Sequence, residues 1–212
     1  LTIRKKSQKK IIENLMKKYN SKFEIFIGDL NNLNFVKKIG KKVEYVTTII
    51  NNASGENQKY FTDITEKDLK EMINVNLIAN FTLTQIFVKK MIKKKIEGNV
   101  INLGSQLGKM GAYNRSVYCM AKFGIEGLTK ALAMDLGKHG IRVNSVSPTK
   151  TIVKNSEIKN LKRLNLIKKK IPLGKFSTTE EIAKIVYFLT TSSAGSITGT
   201  TIMSDGGWTA GK

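Results

Sequence analysis

The chain has 212 residues, of which 41% are hydrophobic, and its formal net charge is +21 at pH 7. This length and composition predict one soluble domain over residues 1–212, and no apolar run is long enough to span a bilayer. The positive charge comes almost entirely from scattered lysines, whereas phosphate and base recognition favours arginine. We therefore expect neither a nucleic-acid partner nor a membrane partner.

The single cysteine, Cys119, cannot form an internal disulfide. The sequence also opens without the charged and apolar leader that is typical of secreted proteins. Both features favour a reducing, cytoplasmic location. We expect no metal site.

Short apolar runs alternate with longer segments that carry apolar residues at helical spacing. The predicted strands cover residues 23–27, 43–50, 99–104, 141–147 and 200–203. The predicted helices cover residues 8–19, 33–40, 66–77, 79–95, 115–138 and 178–190, with a further helical piece near 157–170. This alternation predicts an α/β fold with a Rossmann-like, doubly wound parallel sheet and helices on both faces.

Three side chains of the central stretch form a candidate acid/base device. Tyr118 and Lys122 are four residues apart in a predicted helix, so they share one face. Ser105 ends the preceding strand, where parallel sheets place their ligands. An ammonium beside a phenol is expected to lower the pKa of the phenol toward the range that acid/base catalysis prefers. The Tyr-x3-Lys spacing alone occurs by chance in many helices; the strand-end serine makes it more specific.

In their order and spacing, these residues resemble the catalytic set of the short-chain dehydrogenase/reductase family. Asn76 matches the asparagine that completes the family tetrad, and Asn51-Asn52-Ala53 matches the start of its Asn-Asn-Ala-Gly loop. Ser54 stands where glycine is usual. The resemblance implies that the tyrosine exchanges a proton with the substrate, the lysine binds the nicotinamide ribose, the serine holds the substrate oxygen and the asparagine supports a water.

The resemblance also implies a cofactor site, with NADP as the expected cofactor and NAD possible. A basic cluster that begins at Arg4 follows the first apolar fragment and would suit a 2′-phosphate. The expected cofactor-binding residues are Arg4, Asp29, Leu30, Asn51, Asn52, Ala53, Tyr118, Lys122, Pro148 and Thr151. After Pro148, Thr149 replaces the glycine of the family pattern.

No glycine-rich phosphate loop precedes Asp29, although dinucleotide folds place one after their first strand. About 35 residues of the family pattern, which comprise the first strand, its loop and a helix, are therefore expected to be missing from this sequence.

Residues 107–114 and 149–170 are expected to border the substrate, the latter as a mobile lid. The identity of the substrate stays open at this point. Reduction of a 3-oxoacyl thioester on a carrier protein is the first choice, on frequency alone, and a sugar or polyol dehydrogenase is the alternative. A third hypothesis is a non-enzymatic remnant that retains only oligomerisation helices. Helices 79–95 and 115–138 match those that pair subunits in the family, so a homodimer or homotetramer is expected.

Overall fold

The computed structural model describes residues 1–20, 22–152 and 161–211. Its strands are β1 (Thr2–Ile3), β2 (Phe26–Ile27), β3 (Thr48–Asn51), β4 (Gly98–Leu103), β5 (Ile141–Pro148), β6 (Thr151–Ile152), β7 (Ser177–Thr178) and β8 (Thr201–Ser204). Its α-helices are α1 (Lys9–Lys18), α2 (Leu33–Lys42), α3 (Glu66–Ile73), α4 (Ala79–Lys93), α5 (Ser116–Leu136), α6 (Leu161–Lys168) and α7 (Thr179–Thr190).

All strand pairs are parallel, which confirms the predicted α/β class. The main sheet has the order β3-β4-β5-β8, while β1 pairs with β2 and β6 pairs with β7 in separate two-stranded sheets. The parallel strands are therefore not joined into one continuous sheet over the described residues.

Helices cover both faces of the main sheet because its strands are buried on both sides. In β4, Val100 packs into a cluster with α2, α4 and α5, whereas the next residue, Ile101, packs into a second cluster with α7. Successive strand side chains point to opposite faces, so these two neighbours anchor the two helix layers.

Two predicted strands are shorter in the structure. Residue Val43 ends α2, donating its backbone N–H to Ile39 O at 3.0 Å, so the strand predicted at 43–50 begins only at Thr48. The strand predicted at 23–27 is reduced to Phe26–Ile27 because its partner β1 has only two residues.

The two helices predicted over 66–77 and 79–95 are continuous. A π-helical segment, Asn74–Ile78, joins α3 to α4. Within it, Asn76 Nδ2 donates to Met72 O at 2.9 Å and Asn80 Nδ2 donates to Asn76 O at 2.9 Å. Such widened turns are frequent at functional sites.

Part of the segment predicted as a substrate lid, residues 149–170, lies outside the described residues. The predicted helical piece near 157–170 corresponds to α6 where it is described. Across the described ranges, none of the helices combines the length and the apolar character needed to cross a bilayer.

Candidate active site

Helix α5 and the end of β4 bring Tyr118, Lys122 and Ser105 together, as predicted. The hydroxyl groups of Ser105 and Ser54 lie near the Tyr118 phenol and act to lower its pKa. Lys122 Nζ lies 5.6 Å from the centroid of the Tyr118 ring. Ser105 comes two residues after the end of β4, so the group lies at the carboxyl edge of the main sheet.

Lys122 is buried, with only 3% of its surface exposed. Its ammonium donates a hydrogen bond of 2.8 Å to the carbonyl oxygen of Leu103, the last residue of β4. Burial lowers the pKa of Lys122 to about 8, while the carboxylate of Glu126 acts in the opposite direction. The ammonium is therefore held in place by the strand end and titrates close to the physiological range.

The pKa of Tyr118 is raised above its ordinary value of 10.0, chiefly because the phenol is buried and also because of the Glu56 carboxylate. Hydrogen bonds from Ser105 and Ser54 and the charge of Arg115 counter this rise only in part. The prediction that the neighbouring lysine leaves the phenol with a lowered pKa is wrong for this structure. The desolvation of the phenol outweighs the nearby positive charges.

Asn76 lies next to this group, and Ser54 connects the two. Asn76 is 1% exposed, and its Oδ1 accepts a hydrogen bond of 2.6 Å from Ser54 Oγ. Its Nδ2 donates to Gly55 O at 3.2 Å. The sequence motif did not predict a functional role for Ser54, although the presence of serine where glycine is usual was a signal for one.

An ion pair borders the phenol on the solvent side. Arg115 Nη2 lies 2.5 Å from Glu56 Oε1, and Arg115 Cζ lies 6.0 Å from the centroid of the Tyr118 ring. Arg115 Nη1 also donates to Asn57 O at 3.3 Å. These contacts fix the loop after β3 against the start of α5, close to the Tyr118 ring. The sequence patterns gave no signal for this pair.

A cavity of about 600 Å³ adjoins the Tyr118 group through Ser54 and Glu56. Four of the predicted cofactor-binding residues line it: Arg4, Asp29, Leu30 and Ala53.

The lining of this cavity carries one arginine, Arg4, and four carboxylates, Asp29, Glu56, Asp68 and Glu71. Arg4 Nη2 lies 2.9 Å from Asp29 Oδ2, and both side chains remain partly exposed. Among the described residues, Asn31 Oδ1 is buried without a hydrogen-bond partner, and Asn31 is part of the cavity wall. A cation suits a phosphate, and an unsatisfied buried acceptor suits an amino group of a base.

The other predicted cofactor-binding residues are not part of the wall that the described residues form. Asn51 is buried, and its Nδ2 donates to Thr84 Oγ1 at 2.9 Å and to Asn102 Oδ1 at 2.8 Å, so it braces the sheet. Asn52 is exposed. Pro148 ends β5 and Thr151 begins β6, both outside the cavity wall. The structure therefore groups only part of the predicted cofactor set around the cavity.

Comparisons with known proteins agree with this geometry. A family profile described as enoyl-(acyl carrier protein) reductase matches residues 1–209. L-xylulose reductase of Mus musculus is 34% identical over 167 residues, which cover 78% of this chain and 68% of that protein. The 3-oxoacyl-[acyl-carrier-protein] reductase of Buchnera aphidicola subsp. Schizaphis graminum is 33% identical over 201 residues, covering 93% and 81%.

The fold is shared with solved structures of dehydrogenases. A proposed 2-deoxy-D-gluconate 3-dehydrogenase from Agrobacterium tumefaciens, solved with bound NADP, superposes with a TM-score of 0.90 at 28% identity and covers 99% of this chain and 85% of its own. Together, these matches show that the chain belongs to the short-chain dehydrogenase/reductase family. It is therefore an oxidoreductase of the NAD(P)-dependent type.

Proposed function

We propose that the chain interconverts a carbonyl group and a secondary alcohol with NADP(H), with NAD(H) as the second possible cofactor. The observation that carries this proposal is the placement of the Tyr118 phenol between the Ser105 hydroxyl and the Lys122 ammonium, beside a cavity with a cation at its edge. Such a group can exchange a proton with a substrate oxygen while a bound nicotinamide exchanges the hydride.

Each member of the group has a role that follows from its contacts. Ser105 Oγ lies within hydrogen-bonding reach of the Tyr118 phenol, so both can hold one substrate oxygen as charge develops on it. Tyr118 donates its proton to that oxygen during reduction and accepts it during oxidation. Lys122, a buried cation, stabilises the phenolate that forms. Asn76, through Ser54, fixes the hydroxyl chain that ends at the phenol.

The cofactor preference rests on Arg4. Its guanidinium lies at the edge of the cavity and is paired only with Asp29 among the described ion pairs. A guanidinium can form two parallel hydrogen bonds to a phosphate. Arg4 would therefore hold the 2′-phosphate of NADP, and Asp29, Leu30 and Ala53 would hold the adenosine part.

For the substrate, we propose a small polyhydroxylated ketone. Hydrogen-bonding and charged side chains, which include Ser54, Glu56 and Arg115, surround the phenol, and such a rim suits the hydroxyl groups of a sugar or polyol. The likeness to L-xylulose reductase supports this class.

The second candidate substrate is a 3-oxoacyl thioester on an acidic carrier protein. The reductase from Buchnera supports it, because that match covers more of this chain at nearly the same identity. The net charge of +21 would also favour an acidic carrier. The comparisons lend no support to a non-enzymatic remnant, since the relatives named above are reductases or dehydrogenases.

A substrate panel tests the proposal. Purified protein is mixed with NADPH and with either L-xylulose and related ketoses or an acetoacetyl carrier protein, and absorbance at 340 nm is followed. Turnover of ketoses with little turnover of the thioester supports the proposed substrate, and the reverse result selects the second candidate. Absence of NADPH binding in a fluorescence titration would favour the remnant hypothesis.

We also propose a homodimer or homotetramer that uses α4 and α5. These helices expose four large apolar side chains, Phe81 (45%), Met120 (49%), Phe123 (48%) and Met134 (84%). Surfaces of this kind commonly mark protein–protein contacts. Sedimentation velocity should show a dimer or tetramer, and F123E should shift it toward monomer. A monomer at micromolar concentration would contradict the proposal.

A further inference from the structure

A buried carboxylate lies directly behind the catalytic group and has no role in the chemistry proposed above. Glu126 is 8% exposed and lies one helical turn after Lys122 on the same face of α5. Burying a carboxylate is costly unless it is paired or hydrogen-bonded. Its retention at this position therefore needs an explanation.

Three hydroxyl groups from two neighbouring strands fix the Glu126 carboxylate. Ser147 Oγ donates to its Oε1 at 2.6 Å and Ser145 Oγ donates to the same atom at 3.0 Å, both from β5. Thr201 Oγ1, from β8, donates to Oε2. The two carboxylate oxygens of Glu126 therefore have hydrogen-bond donors despite their burial.

The neighbouring residue Gly104 makes this arrangement possible. A Cβ atom at Gly104 would lie 2.1 Å from Ser147 Oγ and 2.3 Å from Glu126 Oε1. The hydroxyl cluster therefore occupies the space that any larger side chain at the end of β4 would need.

The charged groups around Lys122 divide into two sets. Glu126 lies behind Lys122 on α5 and acts on its charge. Glu56 and Arg115 lie in front, pair with each other, and act on Tyr118. From β4 and β5, the neighbouring groups are uncharged: the Leu103 carbonyl and the serine hydroxyls that bind Glu126. Glu126 is thus the counter-charge on the buried side of the lysine.

We propose that Glu126 is a positioning residue: its buried carboxylate, fixed by the three hydroxyls, keeps the Lys122 ammonium charged at neutral pH and directed at the Leu103 carbonyl. The role of Lys122 in turnover rests on the proposed function, but the charge coupling between the two residues does not. Without Glu126, burial alone acts on the ammonium and favours its neutral form.

The titration of Lys122 in E126Q tests the coupling without any need for activity. Protein labelled with ¹³C and ¹⁵N lysine is titrated by NMR in the full chain, and the Lys122 Nζ signal is assigned by its loss in K122R. Residues at i and i+4 of a helix stand about 5–6 Å apart. Two unit charges at about that separation, at an effective dielectric constant of about 20, predict a downward shift of about two pH units in E126Q. Glutamine is isosteric and can still accept from both serines.

Two control variants separate charge from structure. E126D keeps the charge and should restore a Lys122 titration close to that of the unsubstituted protein. S147A keeps the charge but loses one hydrogen bond, and it should not lower the Lys122 titration. If E126Q fails to fold, E126A removes the charge instead. A Lys122 titration that is lowered in E126A but not in S147A supports the charge mechanism, and a titration unchanged in E126A, or lowered equally in S147A, contradicts it.

The pH profile of kcat/KM supplies the second readout. The alkaline limb, where Lys122 loses its proton, should move to lower pH in E126Q by the same amount as the NMR titration. An unmoved Lys122 titration in a folded E126Q protein overturns the proposal, even if activity falls. If the Lys122 titration is shifted in E126Q but the unsubstituted protein shows no turnover, the result supports the charge coupling and contradicts the proposed function instead.

Discussion

The replacement of Arg4 by glutamine tests how the cavity distinguishes its cofactors. Arg4 Nη2 lies 2.9 Å from Asp29 Oδ2, with 72% of the Arg4 side chain exposed. A surface ion pair of this kind contributes about 1 kcal/mol or less to folding. R4Q should therefore fold normally, and any change in cofactor affinity can be attributed to the lost cation.

The expected effect follows from the exposure of the guanidinium. A charge-assisted contact with a phosphate at a solvated site is worth about 1–2 kcal/mol. R4Q should therefore weaken NADPH binding about 5- to 30-fold, since about 1.4 kcal/mol corresponds to a tenfold change. NADH lacks the 2′-phosphate, so its affinity should stay within about twofold.

Fluorescence titration with NADPH and NADH at low ionic strength measures both affinities. K9Q is the matched control, because it removes one positive charge from the nearby exposed helix α1, where Lys9 pairs with Glu13 at 3.6 Å. Added salt should reduce the preference for NADPH, since exposed charges are screened. Equal weakening of both cofactors in R4Q, or an effect no larger than that of K9Q, would refute the placement of the 2′-phosphate at Arg4.

Three further predictions concern the hydroxyl chain, the packing of β4 and the start of α7. S54A should lower kcat about 2- to 10-fold, the value of one hydrogen bond, and should also lower Tm, because the buried Oδ1 of Asn76 loses its donor. An unchanged kcat would remove Ser54 from the hydroxyl chain that ends at the phenol. G104A should destabilise the chain by about 2–4 kcal/mol in urea unfolding, because the added Cβ overlaps buried hydroxyl groups. The control G127A has open space around its Cβ and should be neutral or slightly stabilising. Equal unfolding midpoints for the two variants would contradict the packing argument. The pKa of Glu181 is held at about 2, below its ordinary 4.5, chiefly by a hydrogen bond from Lys175. The contribution of Glu181 to stability is therefore complete above about pH 5 and is lost as the pH falls toward 2. The Tm difference between the unsubstituted protein and E181Q should vanish over that range, and a constant difference would contradict this prediction.

The residues that could be predicted from the sequence are those whose placement is local. Tyr118 and Lys122 share a face because one helix carries both, and Ser105 follows a strand whose apolar run is easy to recognise. The alternation of strands and helices predicted parallel pairing for the same reason. Local periodicity was sufficient for each of these features.

Other features depend on contacts between distant segments. Ser54 reaches Asn76 across 22 positions, and Arg115 reaches Glu56 from another loop. Neither pairing has a periodic signal. The rise in the pKa of Tyr118 likewise reflects its burial by several elements, which the spacing of two residues does not reveal.

The limits of the strands show the same dependence on partners. An apolar run predicts a strand, but its hydrogen-bonded length is set by the strand beside it. The strand predicted at 43–50 is observed only at Thr48–Asn51, because helix α2 extends to Lys42 and is capped by Val43. The π-helical segment around Asn76 also needs its side-chain hydrogen bonds, which the sequence pattern of a long helix does not indicate.

The most direct test of the central proposal is a comparison of Y118F with the unsubstituted protein in two measurements on one preparation. Removal of the phenol hydroxyl should lower kcat for ketone reduction with NADPH about 10²- to 10⁴-fold, the usual value of acid/base catalysis. NADPH affinity should stay within about threefold, because the cation at the cavity edge is untouched. If Y118F reduced the substrate at the original rate with NADPH still bound, Tyr118 would not be the proton donor and the proposed mechanism would be wrong.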